Sequence, residues 1–167
     1  MSWDYPWGVT LLGMLNVSRA TADPAPAQFA LQHNRLAAEH FDYLRWQRRT
    51  FGKTASAAGL SLLMRMNCLD DCGAMAAQAT EGLVRHGAEP TGELRVMLAA
   101  VAEYITYGQS RLADGALCRG NNLWIDDLYM STPFLARYGT YTGERHYLDD
   151  AARQILLFSA RLQDEDG

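Results

Sequence analysis

Apolar residues recur along most of this chain at the spacing of an α-helix. Between residues 91 and 105 they fall at i, i+3, i+4 and i+7, behind a Thr91 that is placed to cap the helix. The pattern predicts helices over 7–19, from Pro24 to about 48, over 61–67 and 70–86, from 91, from 121 or 122, and over 144–162. Gly87 and Gly143 stand where two of these helices should end. No run alternates apolar and polar residues between turns, so the fold class is all-α.

Two kinds of helix alternate in this pattern. The one from 144 has a single apolar stripe and a charged face, whereas the one before it is apolar on nearly every side, from Leu123 to Leu135. A helix that is apolar all round must be covered all round. The chain therefore predicts hairpins of one inner and one outer helix, as in a solenoid or closed toroid.

Composition narrows the class without changing the fold. The chain has 167 residues, 49% hydrophobic and 20% charged, with a formal net charge of -4. No basic stripe is available for nucleic acid, and no long apolar run or polybasic segment for a membrane. Three cysteines without ligand spacing indicate no zinc and no disulfide framework. With no signal peptide visible, these features predict a cytoplasmic protein without cofactor or metal.

Candidate chemistry lies in the first turns of the predicted inner helices. Three clusters contain aspartates there, two of them beside tryptophan: Trp3-Asp4-Tyr5-Pro6-Trp7, Asp70-Asp71-Cys72-Gly73 and Trp124-Ile125-Asp126-Asp127. Carboxylates gathered at one end of a cavity are typical of glycosidases, which need a proton donor and a second carboxylate to tune it. Helix capping and the helix dipole also favour aspartate at such positions, so each residue has a structural explanation as well.

Asp126 is the strongest candidate for the proton donor. The helix N-terminus favours its carboxylate form, while burial beside Trp124 and a nearby Asp71 would favour the neutral acid. Met130 lies one turn later on the same face, which predicts both side chains in the cavity. Asp127 points about 100° away, so the two aspartates should not aim at one atom, and Asp127 should brace backbone or a loop.

These motifs resemble those of a known family. The segment Leu-Trp-Ile-Asp-Asp-Leu-Tyr-Met-Ser-Thr-Pro-Phe-Leu-Ala-Arg (123–137) is similar to the signature of the unsaturated rhamnogalacturonyl hydrolases, glycoside hydrolase family 105, related to the unsaturated glucuronyl hydrolases. Leu-Asp-Asp-Cys-Gly-Ala-Met (69–75), Tyr-Thr-Gly (141–143) with Tyr147, and Trp-Asp-Tyr-Pro-Trp-Gly (3–8) fit the same family.

The resemblance implies an (α/α)6 barrel that hydrolyses the unsaturated uronic acid left at a chain end by pectin lyases. In that chemistry an aspartate protonates C4 of the C4=C5 enol ether, water adds at C5, and the hemiketal opens to release the remaining sugar. By position, Asp126 matches the acid and Asp71 the second essential carboxylate, while Trp124 and Met130 match substrate-lining positions. We also expect Trp7 and Asp4 to contact substrate.

A complete toroid of this kind needs more than 167 residues. We therefore expect residues 1–167 to form a partial barrel of roughly three of six hairpins, a fragment of a longer, bacterial-type pectin-degrading enzyme. Such a half would expose the apolar flanks of its first and last hairpins, and should be inactive alone and prone to associate.

Other classes of protein remain open at this point. A helical-repeat scaffold that binds partners would tolerate Asp126→Asn without functional loss. A terpenoid synthase would need another acid four residues after Asp126, where this chain has Met130. Other carbohydrate enzymes share the toroid, because a fold alone does not fix the chemistry.

Overall fold

A computed structural model describes residues 3–52 and 58–166 of the chain. Helices follow one another as α1 Tyr5–Thr21, α2 Ala25–Phe51, α3 Ser61–Arg65, α4 Gly73–Arg85, α5 Gly92–Glu103, α6 Ile125–Tyr129, α7 Thr132–Thr142 and α8 Arg145–Leu162. Short 3₁₀ turns at Ala58–Leu60 and Leu69–Asp71 precede α3 and α4, and a π-helical turn at Tyr104–Gly108 continues α5. Part of the Gly- and Ala-rich stretch after Phe51 lies outside the described residues. Where the structure describes the chain, the all-α prediction is confirmed.

Side-chain caps and left-handed residues set several helix ends. Thr91 accepts the Leu94 N–H at 3.3 Å, and Asp4 accepts the Trp7 N–H at 3.2 Å. Gly87 follows α4 with φ of 65°, and Gly143 ends α7 with φ of 76°. The predicted helix ends at Thr91, Gly87 and Gly143 are therefore confirmed, since only glycine takes such φ values without steric cost.

The helices form two rows, as the alternating pattern predicts. α1 packs beside α4 and α4 beside α7, so these three make the inner row. α2 packs on α1 and α5, and α8 packs on α7, which makes α2, α5 and α8 the outer row. Every residue of α4 from Gly73 to Gly82 is buried. The described chain is thus a row of helical hairpins, consistent with part of an (α/α) toroid.

The predicted fifth helix is divided in two, contrary to expectation. α6 ends at Tyr129 and α7 begins at Thr132. Pro133 has no N–H to continue the α6 ladder, while the Ser131 hydroxyl donates to the Asp127 carbonyl at 2.7 Å and the Thr132 hydroxyl to the Leu128 carbonyl at 2.8 Å. Complete covering is also wrong, because Ile125 is 63% exposed and the preceding Trp124 is 54% exposed.

Exposed apolar side chains are concentrated on the two ends of the row. Val9 and Val17 of α1 are exposed on the first hairpin, and Ile155 and Leu156 of α8 on the last. The middle hairpin, packed on both sides, exposes only Val84, Val96 and Tyr107 among its described large apolar residues. Among the described helices, none is long and apolar enough to cross a membrane.

The cysteines are unpaired in sulfur, and two of them pack as apolar groups. Cys72 and Cys118 are buried and Cys68 is half-buried; all three are free thiols. Burial raises the pKa of Cys72 well above its usual value. The predicted role as buried hydrophobic residues is therefore confirmed for Cys72 and Cys118.

Candidate active site

Three segments meet at the N-terminal end of the inner row. Asp126 and Asp127 lie in the first turn of α6, and Asp70 lies in the 3₁₀ turn before α4. Carboxylate oxygens of these three residues lie within 4.8 Å of one another. The irregular segment 109–124, between the π-helical turn and α6, brings Arg119 into the same group. We call these four residues the carboxylate group.

Arg119 joins the carboxylates. Its Nε donates to Asp127 Oδ1 at 2.9 Å, and its Nη1 and Nη2 donate to the two oxygens of Asp70 at 3.0 and 2.9 Å. Nη2 also donates to Asp126 Oδ2 at 2.6 Å. The guanidinium carbon lies 5.3 Å from the centre of the Trp124 ring, within the range of a cation–π interaction. One side chain therefore ties α6 to the start of α4.

The two adjacent aspartates of α6 converge on one atom, against the sequence prediction. Arg119 Nη2 lies 2.6 Å from Asp126 and 2.8 Å from Asp127. Their backbone directions do differ by about 100°, but both residues are in the first turn, where side-chain rotation can bring the carboxylates together over the helix end. Asp127 does brace a loop, as predicted, because Arg119 belongs to segment 109–124.

Burial separates the roles that the three carboxylates can have. The side chain of Asp127 is 0% exposed, while that of Asp126 is 44% exposed and that of Asp70 is 28% exposed. Burial raises the pKa of Asp127, against the hydrogen bond and charge of Arg119, which lower it. Asp126 is the carboxylate most open to a ligand. The expected burial of Asp126 beside Trp124 is wrong, since both side chains reach solvent.

Asp71 lies outside the carboxylate group, although the sequence prediction made it the neighbour of Asp126. Its carboxylate accepts from Arg65 Nε at 2.8 Å and from the Asn67 N–H at 3.1 Å, and its carbonyl accepts from Trp3 Nε1 at 2.7 Å. Consecutive residues of a tight turn direct their side chains apart. Asp70 therefore takes the place beside Asp126, and Asp71 holds the turn from the other side.

Replacing Asp71 by Asn should lower the stability of the fold. Asparagine can still accept from Asn67, but the charged pair with Arg65 is lost at a carboxylate with no exposed surface. Because Arg65 is partly exposed, we expect the free energy of unfolding to fall by about 1–2 kcal/mol, measured by urea denaturation. Asp149→Asn on the exposed face of α8 should change it by less than about 0.5 kcal/mol. Equal values for the two variants would contradict a structural role for Asp71.

The other predicted site residues have structural contacts of their own. Met130 is 6% exposed and belongs to the core, so the expectation that it faces an open cavity is wrong; its carbonyl packs against Gly73. Trp7 stacks on His33 with ring centres 5.7 Å apart, and Asp4 caps α1. Contact of Trp7, Asp4 and Trp124 with substrate stays a prediction. The structure brings together two of the three aspartate clusters.

Sequence reasoning missed Arg119 and assigned no role to Asp70. One signal was present: several acids predicted to meet at one place require a cation, and Arg119 is the first basic residue before the α6 motif. The oxygens of Asp70, Asp126 and Asp127 are close enough to hold a metal ion. In the structure, the guanidinium of Arg119 lies among them and supplies positive charge there.

The rows of helical hairpins, with acidic side chains gathered at the start of adjacent inner helices, define an α/α-toroid protein with a polar site at its rim. The comparison with known families agrees. The model of glycosyl hydrolase family 88 matches residues 1–167, and the chain belongs to this family. It is therefore a glycoside hydrolase domain, with a carbohydrate as its substrate. A search of curated proteins found no match.

Proposed function

We propose that this domain hydrolyses 4,5-unsaturated galacturonyl oligosaccharides left by lyase cleavage of rhamnogalacturonan. Membership of family 88 supports action on unsaturated uronides. The resemblance of segment 123–137 to unsaturated rhamnogalacturonyl hydrolases supports the narrower substrate. The observation that carries the proposal is the position of Asp126, the most exposed carboxylate of a group that is otherwise partly or fully enclosed.

The proposed reaction begins with Asp126 as a neutral acid. If all three aspartates of the carboxylate group were ionised, one guanidinium would face three negative charges, so a proton on one carboxyl lowers the repulsion. Asp126 reaches solvent and can take that proton. It then gives the proton to C4 of the enol ether, which leaves positive charge at C5, and water adds there while its own proton returns to Asp126.

The product of this addition is a hemiketal at C5. Its ring opens by cleavage of the bond between C5 and the ring oxygen, which leaves a ketone at C5 and a hemiacetal at C1. The hemiacetal then releases the remaining sugar as an alcohol. Asp71 stays in the proposal as the second essential carboxylate, acting by holding the turn that carries Asp70. The free thiols are in keeping with action in the cytoplasm, which we include in the proposal.

The direct test compares related disaccharides. The protein is incubated with unsaturated galacturonyl-rhamnose, its saturated counterpart and an unsaturated glucuronyl disaccharide, and loss of the ultraviolet absorbance of the double bond is followed. We expect turnover of the first, none of the second and slower turnover of the third. In deuterated water, the first product should carry deuterium at C4 at early times. Cleavage of the saturated sugar would contradict the hydration mechanism.

A further inference from the structure

The segment that carries Arg119 has little regular structure of its own. Residues 109–124 form two isolated bridges and a few turns. Such a segment does not fix a long side chain by itself, yet Arg119 makes hydrogen bonds to three carboxylates. Two buried glutamines supply the order, one at the start of the segment and one on the outer helix α8.

Gln154 of α8 is fully buried and binds the segment by both ends of its amide. Its Oε1 accepts from the Leu117 N–H at 2.9 Å, and its Nε2 donates to the Gly115 carbonyl at 3.0 Å. Nε2 also donates to Asp150 at 2.9 Å, and Asp150 in turn pairs with Arg111 at 2.7 Å. An outer helix is thus joined to the residues just before Arg119.

Gln109 holds the same segment from its other side. Its Nε2 donates to the carbonyl of Cys118 at 2.6 Å, directly before Arg119. Its Oε1 accepts from the Tyr104 hydroxyl at 2.6 Å, which ties it to the π-helical turn. The two glutamines therefore hold peptide groups of Gly115, Leu117 and Cys118 by side-chain hydrogen bonds that solvent does not reach.

We propose that Gln154 and Gln109 are positioning residues of the active site, which fix Arg119 and through it the mutual placement of Asp126, Asp127 and Asp70. This inference rests on the proposed function for its kinetic consequence. Neither glutamine contacts a carboxylate of the group in the described structure. Their effect passes through the main chain before Arg119, whose bonds of 2.6 to 3.0 Å would not survive a displacement of about 1 Å.

The kinetic test uses Gln154→Leu and Gln109→Leu, which keep side-chain bulk and remove the amides. Each should lower kcat by roughly 10- to 100-fold with little change in KM, because the carboxylates lose their placement. Arg145→Gln, at an exposed position on α8, should leave kcat unchanged. In an Arg119→Lys background, the two leucine variants should cost little more, since the part they position is already altered. Full additivity of the losses would overturn the proposal.

A second measurement does not need turnover. Burial raises the pKa of Asp127, and Arg119 opposes this; Asp126, Asp70, Cys118 and Tyr104 are the other ionisable groups that act electrostatically with it. Loss of Arg119 placement should therefore raise the pKa of Asp127 further, as seen by carbon NMR of its carboxyl group. We expect this rise in both leucine variants and not in Arg145→Gln. An unchanged Asp127 titration would overturn the proposal, whereas inactivity of the unaltered protein would count only against the proposed function.

Discussion

Replacing Asp126 by Asn should reduce turnover of the unsaturated disaccharide by about 100- to 10,000-fold, the range that a positioned general acid contributes. Asparagine has nearly the same size and can still accept a hydrogen bond from Arg119 Nη2, so the carboxylate group should keep its shape. What is lost is the proton that Asp126 gives to C4. The effect should fall on kcat, with KM little changed.

Two comparisons make this result specific. Asp149→Asn, on the exposed face of α8, should retain full activity. Unfolding curves of the Asp126 variant should match those of the unaltered protein, because its side chain is 44% exposed and an exposed ion pair adds at most about 1 kcal/mol. Near-normal kcat in a folded Asp126→Asn protein would rule out Asp126 as the acid and favour the scaffold interpretation.

Gly73→Ala should destabilise the fold more than any other single-methyl change that we predict. A Cβ at Gly73 would lie 1.6 Å from the carbonyl oxygen of Met130, which is main chain and cannot rotate away. The start of α4 and the end of α6 would have to separate. We expect the free energy of unfolding to fall by about 4 kcal/mol or more, in the range reserved for severe steric conflict. Thermal and urea unfolding measure this directly.

Gly13→Ala is the matched control within the same inner row. Nothing lies within 4 Å of a Cβ at Gly13, which is exposed in the middle of α1. Alanine is the better helix former there, so stability should rise by about 0.5–1 kcal/mol. If Gly73→Ala unfolds with the stability of the unaltered protein, the contact between α4 and Met130 is wrong. Because Gly73 lies beside Asp70 and Asp71, the same variant should also disturb the carboxylate group.

The sequence predicts the helices well because their signals are local. Spacing of apolar residues, the Thr91 cap and the glycines after α4 and α7 depend on neighbours within a few positions. The break between α6 and α7 was missed for the same reason. Its apolar run continues without a change of pattern, and only the competition of Ser131 and Thr132 hydroxyls for backbone carbonyls interrupts it.

The site is less predictable, because its members come together through an irregular segment. The first-turn position of Asp126 can be found from helix starts, but the choice between Asp70 and Asp71 depends on the turn before α4. The approach of Arg119 depends on contacts from Gln109 and from Gln154 on α8. No local pattern in segment 109–124 encodes those distant partners. Long-range hydrogen bonds of this kind therefore need a structure.

The bonds from Arg119 to Asp70 join positions that belong to successive hairpins. The carboxylate group consequently exists only while those hairpins are docked, and opening between them would dismantle it before any helix melts. A saccharide that binds the assembled group will favour the docked state by mass action. Amide hydrogens at the junction of α4 and α6 should then exchange more slowly when substrate analogue is present, which makes hairpin docking and saccharide binding two readings of one equilibrium.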